Sequence, residues 1–392
     1  MSAAAVGLLT AAFDDPKRAG PTISAGLRAA RHLHSAERRL VADGIYDILR
    51  YRPWFVVNVP DSPAALWAAW LVRGGLEPEK VTLTGNFAAV ARGDVPRPSD
   101  PVAALARFGG FEAEVTRALY RSWGDAAAAL LAASRDRAPF SVRTNRRRGD
   151  RDALIARLAA EGRQPRPSAI AVDAVICAPF DVHTSAAWRE GAFEVQDEGS
   201  QLVAPVVDPQ PGERIVDWCA GGGGKSLHLA GLAACEVIAR DDGRPHALTE
   251  VARRAARAHV RVRVDGGAVA PRSADAVLVD APCSGTGTLR RRPELRLGLD
   301  GAEIARLVAL QGRILDEAAV AVREGGRLVY ATCSVLQDEN DDVVAAFLAR
   351  TPEFTLGVAP GANDGPVVRL APHLHGTDGF YAAVLIRGPS AG

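Results

Sequence analysis

The chain has 392 residues, 48% of them apolar and 24% charged, with 47 Lys and Arg against 46 Asp and Glu. That length exceeds one ordinary core, so two or three domains are expected, and the composition excludes a disordered or fibrous protein. A net charge of +1 excludes a general electrostatic field as the means of holding nucleic acid, which leaves only local patches.

The five cysteines, Cys177, Cys219, Cys235, Cys283 and Cys333, are odd in number, widely spaced and without a Cys-x-x-Cys pair. This argues against a disulfide framework or a metal site and for a reducing compartment. The apolar run Ala3 to Phe13 lacks a basic flank and is too short to span a bilayer, so it reads as a helix start. No other stretch reaches membrane length, and a cytoplasmic monomer without membrane or metal is expected.

Residues 1–135 read as helical throughout. Ser35 is a plausible N-cap for Ala36 to Tyr51, where Leu40, Val41, Ile45, Ile48 and Leu49 recur at helical spacing. Ser62-Pro63 is an N-cap followed by proline at the first helical position, and Gly74 is a fitting stop. Val95-Pro96-Arg97-Pro98 is a loop inside this region, and Asp100-Pro101 and Gly124-Asp125 open further helices. Many apolar stripes without alternating runs predict a separate helical domain.

Residues 136–206 change character. A strand over Ser141 to Asn145, a helix over Arg151 to Glu161 and short strands at Ile170 to Val172 and Val175-Ile176 predict a small α+β module. Arg146, Arg147 and Arg148 are either phosphate contacts or a solvated charged turn.

From residue 207 to 392 the pattern is α/β. A strand over Arg214 to Cys219 runs into Ala220-Gly221-Gly222-Gly223-Gly224-Lys225-Ser226 and then a helix. A glycine-rich turn between strand and helix lets a ligand approach the backbone closely. It is not a phosphate-binding P-loop, because Cys219 stands where that frame requires glycine. Further strands end at Asp241, Asp265, Asp280 and Thr332-Cys333-Ser334, with a helix Pro245 to His259 after Asp241, a helix Asn340 to Ala349, and late strands Phe354 to Leu356 and Phe380 to Ile386. In a doubly wound sheet, the ends Asp217, Asp241, Asp265, Asp280 and Cys333 line one crevice. The stretch after the fourth strand is the densest: Asp280-Ala281-Pro282-Cys283, a turn Ser284 to Gly287, and Arg290, Arg291 and Arg292. Alone it could be a buried strand with a structural cap and a solvated arginine face; with the other strand ends it reads as a site.

These residues resemble the RsmB/NOP2/Sun family of S-adenosylmethionine-dependent RNA cytosine-5 methyltransferases. The resemblance rests on Arg143-Thr144-Asn145, Gln196 to Gln201, Cys219 to Ser226, Asp280 to Pro293, Thr332-Cys333-Ser334 and Asp378-Gly379-Phe380, within about Arg143 to Arg387. The helical front is similar to a NusB-like RNA-binding domain. The resemblance implies a Rossmann-like class I methyltransferase sheet preceded by the α+β module and the helical domain. It implies that S-adenosyl-L-methionine lies over Cys219, Ala220, Gly221, Gly222, Gly223, Gly224 and Lys225, near Asp280, with Asp241 on its ribose and Asp265 near its adenine. It assigns Cys333 as nucleophile, Asp280 as partner of the cytosine ring, and Cys283 to product release, with Arg143, Asn145, Arg290 and Arg291 as RNA contacts.

Cytosine C5 needs help to attack a methyl sulfonium, and a thiolate added at C6 makes it enamine-like. Lys225 or nearby arginines are expected to favour the thiolate, and burial is expected to keep Asp280 protonated, or sharing a proton, for ring N3. Gly221-Gly222 replaces a common Ala-Pro, which should loosen the loop; Ser226 and Arg292 replace a common threonine and asparagine. Ribosomal RNA is the expected substrate. Transfer RNA is the nearest alternative, DNA is less favoured, and a non-catalytic RNA assembly factor is the alternative of another class.

Overall fold

The computed structural model describes residues 1–93, 105–106, 109–244, 246–265, 267, 269–360 and 366–389. The expected loop Val95 to Pro98, the helix start at Asp100-Pro101 and the start at Pro245 lie outside them. The chain forms two compact units, Met1–Arg137 with Ser284–Ile304, and Ala138–Cys283 with Ala305–Gly392.

The first unit is helical. Val41, Ile45, Ile48 and Leu49 recur at three- and four-residue spacing, and all four are buried in the helix Ser35–Phe55. Leu40, expected on that stripe, is instead 42% exposed, one position off the buried face. The cap also differs from expectation: His34 rather than Ser35 starts the helix, because its N–H donates to the Glu37 carboxylate at 2.8 Å in a capping box. The next helix, Pro63–Arg73, begins and ends as the sequence predicts, with the Ala65 N–H donating to Ser62 Oγ at 3.4 Å and Gly74 at its end. Gly44 lets these two helices meet, since a Cβ there would stand 2.4 Å from the Trp67 ring. Leu9, Ile23, Ile45 and Leu66, all fully enclosed, anchor the core, and each such side chain contributes about 1.5–3 kcal/mol.

The second unit holds two sheets. The smaller is antiparallel in the order β2-β3-β1-β4, from β1 (Phe140–Thr144), β2 (Arg166–Pro167), β3 (Ala174–Cys177) and β4 (Phe193–Val195). The helix Arg151–Ala160 starts where the Ala153 N–H donates to Asp150 at 2.8 Å. The expected strand at Ile170 to Val172 is a turn, because Ser168 Oγ accepts the N–H groups of Ile170 and Ala171, both at 3.0 Å.

The larger sheet comprises β5 (Arg214–Asp217), β6 (Glu236–Ala239), β7 (Val262–Val264), β8 (Ala274–Asp280), β9 (Val322–Thr332), β10 (Phe354–Leu356), β11 (Val367–Leu370) and β12 (Phe380–Arg387). Its order is β10-β12-β9-β8-β5-β6-β7, with β11 beside β12. Strands β5 to β9 run parallel and β12 runs antiparallel to β9, which is the expected Rossmann-like methyltransferase architecture. The central strands are continuous apolar runs such as Ala276 to Val279, as covering on both faces requires. Strand order reverses between β5 and β8, which places the crevice outside their carboxyl ends. Among the described residues, no helix is long and apolar enough to cross a membrane.

Candidate active site

The pairing of β8 and β9 sets the two thiols side by side. Asp280 lies opposite Ala331, and the Ala281 N–H donates to the Ala331 carbonyl at 2.8 Å. Both chains then leave the sheet together, and Cys283 Sγ stands 3.4 Å from Cys333 Sγ. Fifty residues separate them in sequence; the parallel register brings them into contact.

Asp280 ends β8 and accepts a hydrogen bond from the Lys225 ammonium at 2.6 Å. Lys225 sits in the first turn of the helix Gly224–Leu232 with its side chain 10% exposed, and its Nζ lies 5.3 Å from the Phe380 ring centre. Burial alone would push its pKa down, but the Asp280 carboxylate outweighs this and holds it above the ordinary lysine value, with Cys333 adding in the same direction. The expected burial of Asp280 is not found: its side chain is 29% exposed and ion-paired. The enclosed carboxyl is Asp217, at the end of β5, which is pushed up to about 7 by burial although Ser226 Oγ donates to it at 2.6 Å.

The glycine-rich loop is pinned rather than loose. The Gly221 N–H donates to Asp241 at 2.7 Å, the Gly223 N–H donates to the Ala220 carbonyl at 2.8 Å, and Arg254 donates to the Gly222 carbonyl. Gly223 has φ +80°, and a Cβ there would lie 2.9 Å from both Val251 methyls, so only glycine fits. Arg143 reaches the loop from β1, donating to the Gly224 carbonyl at 2.6 Å and to the Gln196 side chain. Asp241 also accepts from the Arg244 N–H at 2.7 Å. Asp265 lies past β7 with its side chain 40% exposed, bound to Arg263 at 3.1 Å and to the Gly267 N–H at 2.9 Å.

Three expected RNA contacts are enclosed instead. Arg143 and Asn145 are 3% and 6% exposed, and Asn145 donates to the carbonyls of Gly191 and Ala258 at 2.8 and 2.7 Å. They tie the small sheet to the loop and to the helix Ala247–Ala258, because their donors answer carbonyls that would otherwise be buried unpaired. Arg290 is 5% exposed inside the helical unit, where its carbonyl accepts from Arg50 at 3.1 Å. Arg291, in the same unit, is half-buried, and Arg292 is exposed and pairs with Glu294 at 3.3 Å. Arg146 binds Asp173 at 2.7 Å and Arg147 donates to the Ala230 carbonyl at 3.3 Å, so both have partners within the unit.

Sequence reasoning missed the residues that shape the two thiol-bearing turns. Gln311 donates to the Pro282 carbonyl and to Glu339, both at 3.0 Å, and Thr332 Oγ1 donates to Asn340 at 2.6 Å. Gln311 left a signal: it is a polar residue on the buried stripe Ile304, Leu307, Leu315 and Ala318 of the helix Gly301–Ala319. The remaining cysteines are poor nucleophiles, since burial pushes Cys177 up to about 11 and Cys219 higher still. His228 is buried and pushed down to about 3 by that burial, so it is neutral. Among the described residues no cluster of His, Cys, Asp and Glu could hold a metal ion.

A family model described as 16S rRNA methyltransferase RsmB/F matches residues 204–386, and an RsmF/B-like ferredoxin-like domain matches 115–183. The ribosomal RNA small subunit methyltransferase B of Xylella fastidiosa is 37% identical over 281 residues, covering 68% of this chain and 66% of that protein. The protein of that name from Citrobacter koseri is 34% identical over 299 residues, covering 73% of this chain and 70% of its own length. The chain thus spans about two thirds of the length of such relatives. Among solved structures, PH0851 superposes with TM-score 0.78 at 23% identity over 98% of both chains. NSun6 from Pyrococcus horikoshii with SFG superposes with TM-score 0.64 at 20% identity, covering 72% of this chain and all of that one. These two likenesses concern the fold.

Proposed function

Because the chain belongs to the RsmB/NOP2/Sun family, we propose that it is an S-adenosylmethionine-dependent methyltransferase acting on C5 of cytosine in ribosomal RNA. The observation that carries this reading is the pair of sulfurs 3.4 Å apart beside the Lys225–Asp280 ion pair. Two thiols at neighbouring strand ends suit a reaction in which one adds to the base and the other assists its departure. The helical unit is proposed to bind RNA as a NusB-like domain, with Arg291 among the phosphate contacts.

The residues present fit the cofactor. The loop from Cys219 to Lys225 carries four successive glycines, so its backbone is open to close approach ahead of the helix Gly224–Leu232, and Asp217 Oδ1 is buried without a partner. In this reading Cys219 to Lys225 hold the amino-acid end, Asp241 the ribose and Asp265 the adenine side. When bound, the cofactor supplies the methyl group that C5 takes up.

The chain's own groups then have distinct tasks. The Cys333 sulfur adds to C6, and the new S–C6 bond shifts electron density to C5. Lys225, a buried ammonium paired with Asp280 and electrostatically coupled to Cys333, is placed to balance negative charge on the attacking sulfur. The Lys225–Asp280 pair offers a proton towards ring N3, where negative charge develops, which is the shared-proton alternative that the sequence left open for Asp280. Cys283, or a water it holds, accepts the C5 proton. The S–C6 bond then breaks, C5=C6 reforms, and Cys333 is released.

The test uses both thiols. Cys333→Ala is expected to abolish methyl transfer to RNA, and Cys283→Ala to leave a protein–RNA adduct that survives denaturing electrophoresis. An active Cys333→Ala protein sinks the assignment. Bisulfite sequencing of ribosomal and transfer RNA from cells lacking the protein then identifies the base, and a lost transfer-RNA site would move the substrate there.

A further inference from the structure

The helical unit contains a cavity of about 1170 Å³, walled by the end of the helix Ser35–Phe55, the turn after the first helix and residues 296–300. Arg296 lies on its wall, 7% exposed, and its Nη1 is fully enclosed without a hydrogen-bond partner. No described carboxylate forms an ion pair with it. Burial pushes its guanidinium down to about 9, and Arg135 and Arg50, of its own sign, push further; it is still a cation at neutral pH. The Phe111 ring, centred 5.9 Å from the guanidinium carbon, offers only partial compensation. Enclosed charges are nearly always paired, because an unpaired one is costly to desolvate. The partner that Arg296 lacks is therefore an anion that the described residues do not supply.

The rest of the wall narrows the choice. Of the other cations on the wall, Arg52 is occupied, donating twice to Asp61 at 2.8 and 2.7 Å, and Lys17 is 69% exposed and lies 3.9 Å from Glu303. Asp15, Glu112 and Asp300 share the wall. They would repel a second negative group and accept hydrogen bonds from amino groups, so the cavity selects a single anion on a body that carries donors. Leu49, Pro53 and Leu297 supply an apolar surface for a ring. The planar fork of arginine matches phosphate, and the cavity is slightly larger than the ~300–1,000 Å³ usual for small-molecule sites. We propose that this cavity is a nucleotide-binding site in which Arg296 seats one phosphate and the acidic wall receives the amino groups of the base. The nucleotide is either free or one unit of a single-stranded RNA. This inference stands apart from the methyl-transfer reading, since it uses none of the residues at the sheet edge.

Calorimetric titration of the full chain with AMP, GMP, CMP and UMP, and with their nucleosides, tests it. At least one mononucleotide is expected to bind about ten-fold or more tightly than its nucleoside; Arg296→Gln removes that preference and Arg296→Lys restores part of it. A hexanucleotide that binds more tightly than the free nucleotide, in an Arg296-dependent way, assigns the site to RNA; the reverse order assigns it to a free nucleotide. Without ligand, the melting temperature of Arg296→Gln is expected not to fall, because an unanswered buried charge has been removed. Should that variant fail to fold, the nucleotide-to-nucleoside ratio in the wild type and in Arg296→Lys decides. Equal affinity for nucleotide and nucleoside, no binding of either, unchanged preference in Arg296→Gln, or binding of an acidic peptide in place of nucleotides overturns the proposal.

Discussion

In the second unit, Lys225 at the carboxyl edge of the large sheet and Glu194 in β4 of the small one are 9% and 3% exposed, and each meets its opposite: Lys225 binds Asp280 at 2.6 Å, and Glu194 is held by Arg254 and Arg257. In the helical unit Arg296 is enclosed to the same degree, at 7% exposed, yet its charged neighbours are Arg50 and Arg135. Paired charges hold a fixed geometry and bias a neighbouring thiol. An unpaired charge stores a demand that a ligand can meet. The first arrangement suits chemistry on a substrate brought to it, and the second suits recognition.

Breaking the pair at the sheet edge is the strongest test of this contrast. Lys225→Met should lower methyl transfer by about 10²-fold or more and cost about 1–3 kcal/mol of stability. Single-turnover rates and urea unfolding read the two effects; an unchanged rate would reduce Lys225 to a packing role. Next in size is Asp217→Asn. A folded pKa of about 7 lies above the unfolded value, so the folded state holds the extra proton and wild-type stability falls as pH rises from about 4 to about 7. The loss amounts to about 2–4 kcal/mol, and Asp217→Asn, which keeps an acceptor for Ser226, should flatten it. Urea unfolding at pH 5 and pH 8 measures it, and parallel curves for the two proteins would remove Asp217 from the buried-charge set. Smallest is Asn145→Ala, which deletes two buried hydrogen bonds and should cost about 1–3 kcal/mol while leaving the RNA affinity of the folded protein unchanged. A loss of RNA affinity with the fold intact would return Asn145 to the RNA surface.

Much of the site was legible because it is local in sequence. Asp217, Asp241, Asp265, Asp280 and Cys333 each lie at or just past the end of a strand, and parallel strands must deliver their ends to one edge. Gln311 and Arg254 were not legible in that way, because each acts through a carbonyl distant in sequence. Arginines misled for a related reason. The charge of Arg143, Asn145's neighbour but one, and of Arg290 suggested phosphate, yet burial decides what a guanidinium binds, and burial is a property of the packed chain.

By itself, then, the order of residues determined the period of each helix stripe, the run of parallel strands, the caps at Ser62 and Gly74, and the chemical groups at five strand ends. Tertiary structure alone decided that Cys283 and Cys333 touch, that Asp280 is paired with Lys225 while Asp217 is the enclosed carboxyl, and that residues 284–304 belong with the helical unit. The physical reason is range. Propensity, capping and periodicity act within a few residues, whereas desolvation and ion pairing depend on which distant groups share a low-dielectric space.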